Sequence, residues 1–284
     1  MGMDNPWSGT MKQRLTCTLR QRYVSQFDFV WVAGERTRQF AVRISKEPRI
    51  RTGVYSCDYH SFAGIGDDRI KNNIESPKRF LFVGRYVENK GLRQLLNAYE
   101  VYRKSVSDPW DLHCCGTGPL KQLLEGRQGV ADLGFRQPDS LKDAYRDASV
   151  LILPSFYEPW GVVVAEAMAA GLPVIASSEC GSSVELVRDN YNGFTYDSKR
   201  LDELVERLRW FSSNPTRIRA MAKNCLASAS AYTADLWAER LVSMVHNSAV
   251  LHHERDVSMP NVTIPTLLTS RAEAEDLQEQ SNGR

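Results

Sequence analysis

Two glutamates stand out in this sequence because they flank the predicted start of a helix. Glu158 lies in the segment 154–160, and Glu166 follows it after seven intervening residues. The apolar runs Val150–Leu153 and 174–176, on either side, are typical of strands buried on both faces of a parallel sheet. The loop with Glu158 therefore follows the carboxyl end of a strand, where α/β proteins bind ligands. Carboxylates at that edge suit sugar hydroxyls, because one carboxylate can accept two hydroxyl donors.

The residues between the two glutamates predict an anion site. Residues 161–170 are rich in Ala and Val and predict a helix that Gly171 ends. The free N–H groups and the dipole at the start of such a helix favour a negatively charged group. Taken alone, however, two glutamates at this spacing are more often a loop acid and an acid on a helix surface.

A second motif places positive charge at the same edge of the sheet. Gly84 and Arg85 directly follow a strand predicted at residues 79–83, and Lys90 opens the next predicted helix. A guanidinium fork and an ammonium group at this position suit a diphosphate. By themselves the two cations are also explained as solvated surface charges, which contribute little.

Strands and helices alternate from residue 79 to a last strand at 194–196, and helices predicted between residues 201 and 250 close the domain. The alternation predicts a parallel α/β domain over 79–250 with right-handed crossovers, of the Rossmann-like type. Gly116 and Gly118 follow one predicted strand, and Gly134 and Phe135 follow the next. These four residues are therefore expected at the same edge as Arg85 and Glu158. Loops at the ends of several strands together suit a nucleotide diphosphate with a sugar attached.

The first 60 residues predict only the end of a domain. A helix is expected at 11–27, with Leu15, Leu19 and Tyr23 on one apolar stripe, and a strand at 29–33. One or two strands are too few for a doubly wound domain. The strand at 29–33 would then lack the neighbours that a parallel strand needs, so this part should expose an edge and an apolar face. The other boundaries follow from composition: a polar connector at 61–78 and a disordered tail at 251–284.

Composition restricts the class of protein. The formal net charge of +2 and the lack of a basic run argue against nucleic acid as a partner. No run of 18 apolar residues predicts a membrane span, and residues 1–9 lack the apolar core of a signal peptide. The six cysteines show no disulfide or metal spacing, so reduced thiols in a cytoplasmic protein are expected. The run from His113 to Cys115 cannot bind one metal ion, because consecutive strand residues point to opposite faces.

The combination of motifs resembles a known family. GRYVENKG, which begins at Gly84, is similar to the G-R-x-x-x-x-K-G signature of the retaining glycosyltransferases of family four, which have the GT-B fold. FYEPWGVVVAEAMAAGLPVIAS resembles that family's E-x₇-E signature, CCGTGP its glycine loop and GSSVELVRDNYNGF the turn that follows. The resemblance covers residues 80–245, and the combination of motifs is highly specific. Residues 3–58 look like the last part of the family's N-terminal Rossmann-like domain.

This resemblance implies a role for each matched residue. Arg85 and Lys90 would neutralise the donor diphosphate, so neither a metal ion nor another cofactor is expected. Glu158 would face the hydroxyls of the donor sugar, and Glu166 would hold the ribose hydroxyls. The other positions implied in donor binding are Gly84, the backbone N–H groups of Trp160, Gly161 and Val162, and, around the nucleobase, Gly116, Gly118, Gly134 and Phe135.

The implied reaction is transfer of a sugar from a nucleotide-diphosphate donor to a glycan or lipid-linked acceptor with retention of configuration. It would serve the synthesis of cell-envelope polysaccharide or glycoconjugates, in the cytoplasm or at the inner face of the membrane. No enzymic nucleophile is expected, and the leaving diphosphate would take the proton of the acceptor. The protein would then contribute positioning and charge stabilisation.

One departure from the family leaves alternatives open. Family members have a complete N-terminal domain that supplies most of the acceptor site, and neither His60 nor the other histidines match the base that some members carry there. We therefore expect a piece of a longer chain or a complementing N-terminal polypeptide. The alternative is a nucleotide-sugar-binding module or subunit without transfer activity. A GT-B epimerase or phosphorylase is disfavoured, because no lysine-cofactor or histidine pattern supports it.

Overall fold

The computed structural model describes residues 1–46, 49–72 and 76–253, and it contains two parallel sheets. The strands are β1 Gly2–Met3, β2 Val30–Val32, β3 Ile50–Thr52, β4 Arg79–Val83, β5 Asp111–Cys115, β6 Val130–Gly134, β7 Val150–Leu153, β8 Val174–Ser177 and β9 Gly193–Tyr196. The helices are α1 Met11–Val24, α2 Glu35–Ile44, α3 Tyr59–Lys71, α4 Leu92–Ser105, α5 Pro138–Arg146, α6 Val162–Ala169, α7 Gly181–Leu186, α8 Leu201–Ser213, α9 Pro215–Ala229 and α10 Ala234–His253.

The larger sheet has six strands in the order β6-β5-β4-β7-β8-β9, all of them parallel. Its central strands β4, β7 and β8 are almost wholly buried, and apolar cores cover both faces. The chain runs outward from β4 to β6 and then returns to place β7 on the other side of β4. The carboxyl ends of β4 and β7 therefore form the switch point at which open α/β sheets bind ligands.

The smaller sheet, at the N-terminus, corrects one prediction. It has the order β1-β2-β3, so β2 does have a parallel neighbour on each side. The sequence did not reveal β1, because a strand of two residues, one of them glycine, shows no alternation of apolar and polar residues. The edges that remain open among the described residues are those of β1 and β3.

Helix α1 carries the predicted apolar stripe on its outer face. Leu15 and Leu19 are 73% and 72% exposed and Tyr23 is 56% exposed, whereas Val24 on the opposite side is buried against the small sheet. The helix ends at Val24 rather than at residue 27, and its C-terminal N–H groups bond within the last turn. The N-terminal part therefore exposes an apolar stripe on α1, although the strand count from which an exposed face was expected is wrong.

The segment predicted as a polar connector contains helix α3. The side chain of Asp58 caps the helix by accepting from the N–H of Ser61, and a buried face with Phe62 and Ile65 packs against α6 and α9. Gly66, which suggested a turn, instead permits close packing: a Cβ there would lie 3.1 Å from the carbonyl oxygen of Ala169. Asp67, Asp68 and Lys71, which contribute to the polar composition of this segment, are exposed on the solvent-facing side of the helix.

Both sheets belong to one compact unit, Met1–Val245, and a second unit begins at His246. The predicted disordered tail lies outside the described residues from position 254 onward, while α10 continues to His253. In the part of the chain that is described, no helix combines the length and the apolar character needed to cross a bilayer.

Candidate functional site

A cleft of about 350 Å³ opens at the switch point, between the carboxyl ends of the two sheets. Its volume is at the lower end of the usual range for ligand sites, about 300–1,000 Å³. Seven residues predicted from the sequence line it together: Gly84, Arg85, Lys90, Glu158, Trp160, Gly161 and Val162. The motifs that follow β4 and β7 therefore do converge, although they are about 70 residues apart in the chain.

Lys90 and Glu158 form an ion pair across the cleft, joining the loop after β4 to the loop after β7. Their side chains are only 15% and 13% exposed, so water screens this pair much less than a surface pair. Arg85 lies at the mouth of the cleft and is exposed. A ligand that carries both a phosphate and a hydroxyl could replace this ion pair, with the phosphate bound to Lys90 and the hydroxyl bound to Glu158.

Helix α6 begins at the floor of the cleft. Gly161 precedes it with a φ of 94°, and a Cβ there would lie 2.8 Å from Leu153 Cδ2 and 3.1 Å from Glu158 Cγ. Only glycine adopts this conformation readily, and only glycine fits this space. Val162 and Val163, the first two residues of α6, line the cleft. The free N–H groups at the start of a helix favour an anion.

Glu166 lies one turn further along α6, outside the lining of this cleft. Its Oε2 accepts a hydrogen bond of 2.8 Å from the hydroxyl of Tyr145 at the end of α5. Burial raises the pKa of Glu166 above the ordinary glutamate range, and the bond from Tyr145 opposes this shift. The second carboxylate oxygen is not engaged by that bond. The bond from Tyr145 thus orients the acid, which is half-buried outside the cleft that Lys90 and Arg85 line.

The glycine loops meet at the same edge on the other side of β4. Gly116 approaches the loop after β4 so closely that a Cβ would lie 1.9 Å from the carbonyl oxygen of Gly84. A Cβ on Gly118 would likewise meet the carbonyl oxygen of Tyr86. Gly116 donates to the carbonyl of Gly134, and Phe135, which follows, is 67% exposed. Gly116 and Gly118 are therefore needed for the close packing of these loops. The exposed ring of Phe135 offers an apolar surface at this edge.

Sequence reasoning missed two residues that complete the opposite wall. Asp4, directly after β1, and Tyr55, after β3, line the same cleft as Lys90 and Glu158. The Tyr55 ring stacks on Trp160 with centroids 5.8 Å apart and planes 9° apart. These contacts join the two sheets across long sequence distances. The signal available in the sequence was a lone acid near the N-terminus, which by itself does not indicate a site.

Further contacts hold the small sheet against the unit that contains the six-stranded sheet. The N–H of Glu35, at the start of α2, donates to Glu185 Oε1 at 2.7 Å, and Arg36 pairs with Glu179 at 2.8 Å. Trp237 stacks on Trp31 and donates its indole N–H to a backbone carbonyl. The wall with Asp4 is therefore fixed in place relative to the rest of the cleft.

Metal-binding side chains do not cluster in the part of the chain that is described, where no group of three or more His, Cys, Asp or Glu residues could hold an ion. Cys114 and Cys115 are buried in β5, and all six cysteines are free thiols. Burial raises the pKa of the Cys114 thiol, so it stays protonated at neutral pH. The cleft offers cations and N–H donors for an anion, and carboxylates for hydroxyls.

Comparisons with known proteins agree with this chemistry. The family model described as glycosyl transferases group 1 matches residues 65–226. An uncharacterized glycosyltransferase of Methanocaldococcus jannaschii is 32% identical over 174 residues, which are 59% of this chain and 40% of that protein. A D-inositol 3-phosphate glycosyltransferase of Streptomyces scabiei is 30% identical over 239 residues, 78% of this chain and 53% of that protein. The chain thus spans about half or less of the length of the curated relatives it matches.

Solved structures share the fold. The crystal structure of Anabaena HepE in complex with UDP superposes with a TM-score of 0.73 at 18% identity, covering 87% of this chain and 71% of that one. The same protein in complex with UDP-glucose gives a TM-score of 0.70. The predicted α/β fold of GT-B type is therefore confirmed. Because the family model covers more than half of its residues, the chain belongs to the glycosyl transferases group 1 family.

Proposed function

We propose that the cleft binds a nucleotide-diphosphate sugar and that the chain is the donor side of a glycosyltransferase. The sugar would pass, with retention of configuration, to a glycan or lipid-linked acceptor in cell-envelope polysaccharide or glycoconjugate synthesis. A lipid-linked acceptor would be reached at the cytoplasmic face of a membrane. The observation that carries this proposal is the Lys90–Glu158 pair beside the first turn of α6.

The proposed chemistry separates that pair. Lys90 and Arg85 bind the diphosphate, because both cations lie at the cleft beside the N–H groups of Val162 and Val163. Glu158, released from Lys90, accepts hydroxyls of the donor sugar. As the glycosidic bond breaks, negative charge grows on the diphosphate, and the same cations stabilise it. The acceptor oxygen forms the new bond to the anomeric carbon on the face that the diphosphate leaves, and the departing diphosphate takes the proton of that hydroxyl. No side chain of the cleft therefore needs to act as nucleophile or as base.

No metal ion is assigned to this reaction. Two side-chain cations and a helix N-terminus supply the positive charge that a divalent ion would supply elsewhere. Glu166 binds the ribose hydroxyls through its carboxylate. Gly116, Gly118, Gly134 and Phe135 border the nucleobase at the adjacent edge of the sheet.

A second candidate function is favoured by the extent of the match. The chain spans 53% of the Streptomyces scabiei relative, and its N-terminal sheet has three strands. Transfer requires an acceptor held in line with the donor carbon, and that positioning is worth about 7–11 kcal/mol. If a further segment or a complementing polypeptide supplies the acceptor wall, the 284-residue chain alone binds donor without transferring it.

A thermal-shift panel of UDP, GDP and ADP with their glucose and mannose conjugates tests the donor site. At least one nucleotide should raise the melting temperature, since a ligand that binds only the folded state stabilises it. Product analysis with the best donor and a cell-envelope extract then separates the two candidates. Robust turnover by the chain alone supports the complete transferase, whereas donor binding with at most slow hydrolysis supports the binding module. A panel in which no nucleotide shifts the melting temperature contradicts both.

A further inference from the structure

Asp4 belongs to the cleft but has no role in the chemistry described so far. It follows β1 at the carboxyl end of the small sheet and is half-buried in the wall opposite Lys90 and Glu158. Its backbone carbonyl accepts a bond of 3.0 Å from the hydroxyl of Thr37, which is itself buried. The carboxylate is therefore carried by a fixed stretch of backbone rather than by a free terminus.

The carboxylate of Asp4 is also oriented. The hydroxyl of Tyr55 donates to Asp4 Oδ2 at 3.1 Å, and the Tyr55 ring is held by its stacking on Trp160. Burial, and secondarily the charge of Asp4, raise the pKa of Tyr55 to about 12, so Tyr55 keeps its proton and remains the donor. One oxygen of Asp4 is thus engaged. A carboxylate has two oxygens with about four acceptor positions, so acceptor capacity remains for a ligand.

The charges around the cleft decide which part of a ligand this oxygen can meet. A carboxylate repels a diphosphate, which is drawn to Arg85, Lys90 and the start of α6. It attracts hydroxyl donors. In a cleft of about 350 Å³ with the phosphates at one wall, the group that faces the other wall is the sugar attached to them.

We propose that Asp4 is a specificity-determining residue that accepts a hydrogen bond from a hydroxyl of the donor's sugar. This rests on the proposed donor site and adds to it a contact from the N-terminal sheet. Asp4 and Glu158 then hold the sugar from opposite walls, while Tyr55 sets the direction of the Asp4 carboxylate. A nucleoside diphosphate that lacks the donor sugar makes no hydrogen bond to Asp4.

The test compares ligands with and without the sugar on one protein. Affinities of UDP, UDP-glucose, GDP and GDP-mannose are measured by calorimetry on the 284-residue chain and on Asp4→Ala, Asp4→Asn and Asn5→Ala. Asn5 is the neighbouring control, since it is exposed and bonds to Tyr157 rather than lining the cleft. In Asp4→Ala the Kd of the nucleotide sugar should rise at least about tenfold, the scale of a hydrogen bond to a charged group. The Kd of the free diphosphate should stay within about twofold, which also shows that the variant is folded.

Asp4→Asn should lie between Asp4→Ala and the unchanged chain, because the amide keeps one acceptor oxygen without the charge. Asn5→Ala should change none of the affinities. An equal change for diphosphate and nucleotide sugar in Asp4→Ala, or no change for either, would overturn the assignment while leaving the donor site intact. If the unmodified chain binds none of the four ligands and no ADP-sugar, the proposed function itself fails.

Discussion

Replacing the two members of the Lys90–Glu158 pair one at a time should change stability and ligand affinity in different ways. Lys90→Met leaves the carboxylate of Glu158 without its partner at 13% exposure. Breaking a fully buried pair costs about 3–5 kcal/mol. Because this cleft is open to water on one side, we expect a loss of about 2 kcal/mol in the free energy of unfolding. The double variant Lys90→Met/Glu158→Gln should recover most of that loss, since no unpaired charge remains.

The Kd of UDP should change differently when Lys90 and when Glu158 is replaced. Lys90→Met removes a charged hydrogen bond to the diphosphate, worth about 1.5–3 kcal/mol, so the Kd of UDP should rise about 10- to 150-fold. Glu158→Gln frees Lys90 and removes a negative charge beside the phosphates, so the Kd of UDP should stay the same or fall. The Kd of UDP-glucose, relative to that of UDP, should rise in this variant because a sugar contact is weakened.

Urea denaturation and calorimetry at fixed ionic strength measure the two effects. Lys104→Met is the matched control, because Lys104 pairs with Glu100 on the exposed face of α4, at 74% and 55% exposure. That variant should change neither stability nor affinity measurably. Equal losses of UDP affinity in Lys90→Met and Glu158→Gln would refute the assignment of opposite roles. The pair would then serve only to join the two loops.

Three further predictions follow from the site. Burial raises the pKa of Glu166. If its ionised form accepts the ribose hydroxyls as proposed, the affinity for UDP-glucose should fall on acidification at a higher pH than for an ordinary glutamate. Glu166→Gln should bind UDP-glucose more weakly at neutral pH and lose this pH dependence, and a pH profile identical to that of the unmodified chain would contradict the role. Arg85→Ala should weaken the binding of UDP at least about tenfold but leave the binding of uridine unchanged. The control is Arg93→Ala, which removes an ion pair with Glu88 and should affect the binding of neither ligand. If calorimetry shows that uridine binding weakens as much as UDP binding, a phosphate contact of Arg85 is excluded. The double substitution Leu15→Glu/Leu19→Glu should reduce association of the chain with itself or with a partner chain in analytical ultracentrifugation, because both side chains are more than 70% exposed on α1. An unchanged distribution of species would show that this stripe is not an interface.

The donor-side loops could be predicted from the sequence because their determinants are local. Each of Arg85, Lys90 and Glu158 stands within seven residues of the end of a strand, and an apolar run of four residues marks each of those strands. Parallel topology then brings the strand ends to one edge. The pattern of strands and helices from residue 79 onward was therefore enough to bring the two charged motifs together.

The opposite wall could not be predicted because its determinants are long-range. Strand β1 has two residues and exists through pairing with β2, where the paired residues lie 29 positions later in the chain. Asp4 reaches the cleft only when that pairing and the stacking of Tyr55 on Trp160 are formed. Helix α3 was missed for a related reason: Gly66 serves close packing against α6 rather than a turn, and packing is invisible in a local pattern.

Calorimetric titration of UDP-glucose in the presence and absence of excess EDTA tests the central proposal most directly. If Arg85, Lys90 and the start of α6 supply all the charge that the diphosphate needs, the Kd should be the same in both titrations, and Lys90→Met should weaken it in both. GDP-mannose should be titrated in the same way, so that a preference for guanine over uracil is not mistaken for the absence of a donor site. Binding that disappears in EDTA and returns with Mg²⁺ would contradict the metal-free donor site, and absence of binding by every nucleotide sugar would contradict the site itself.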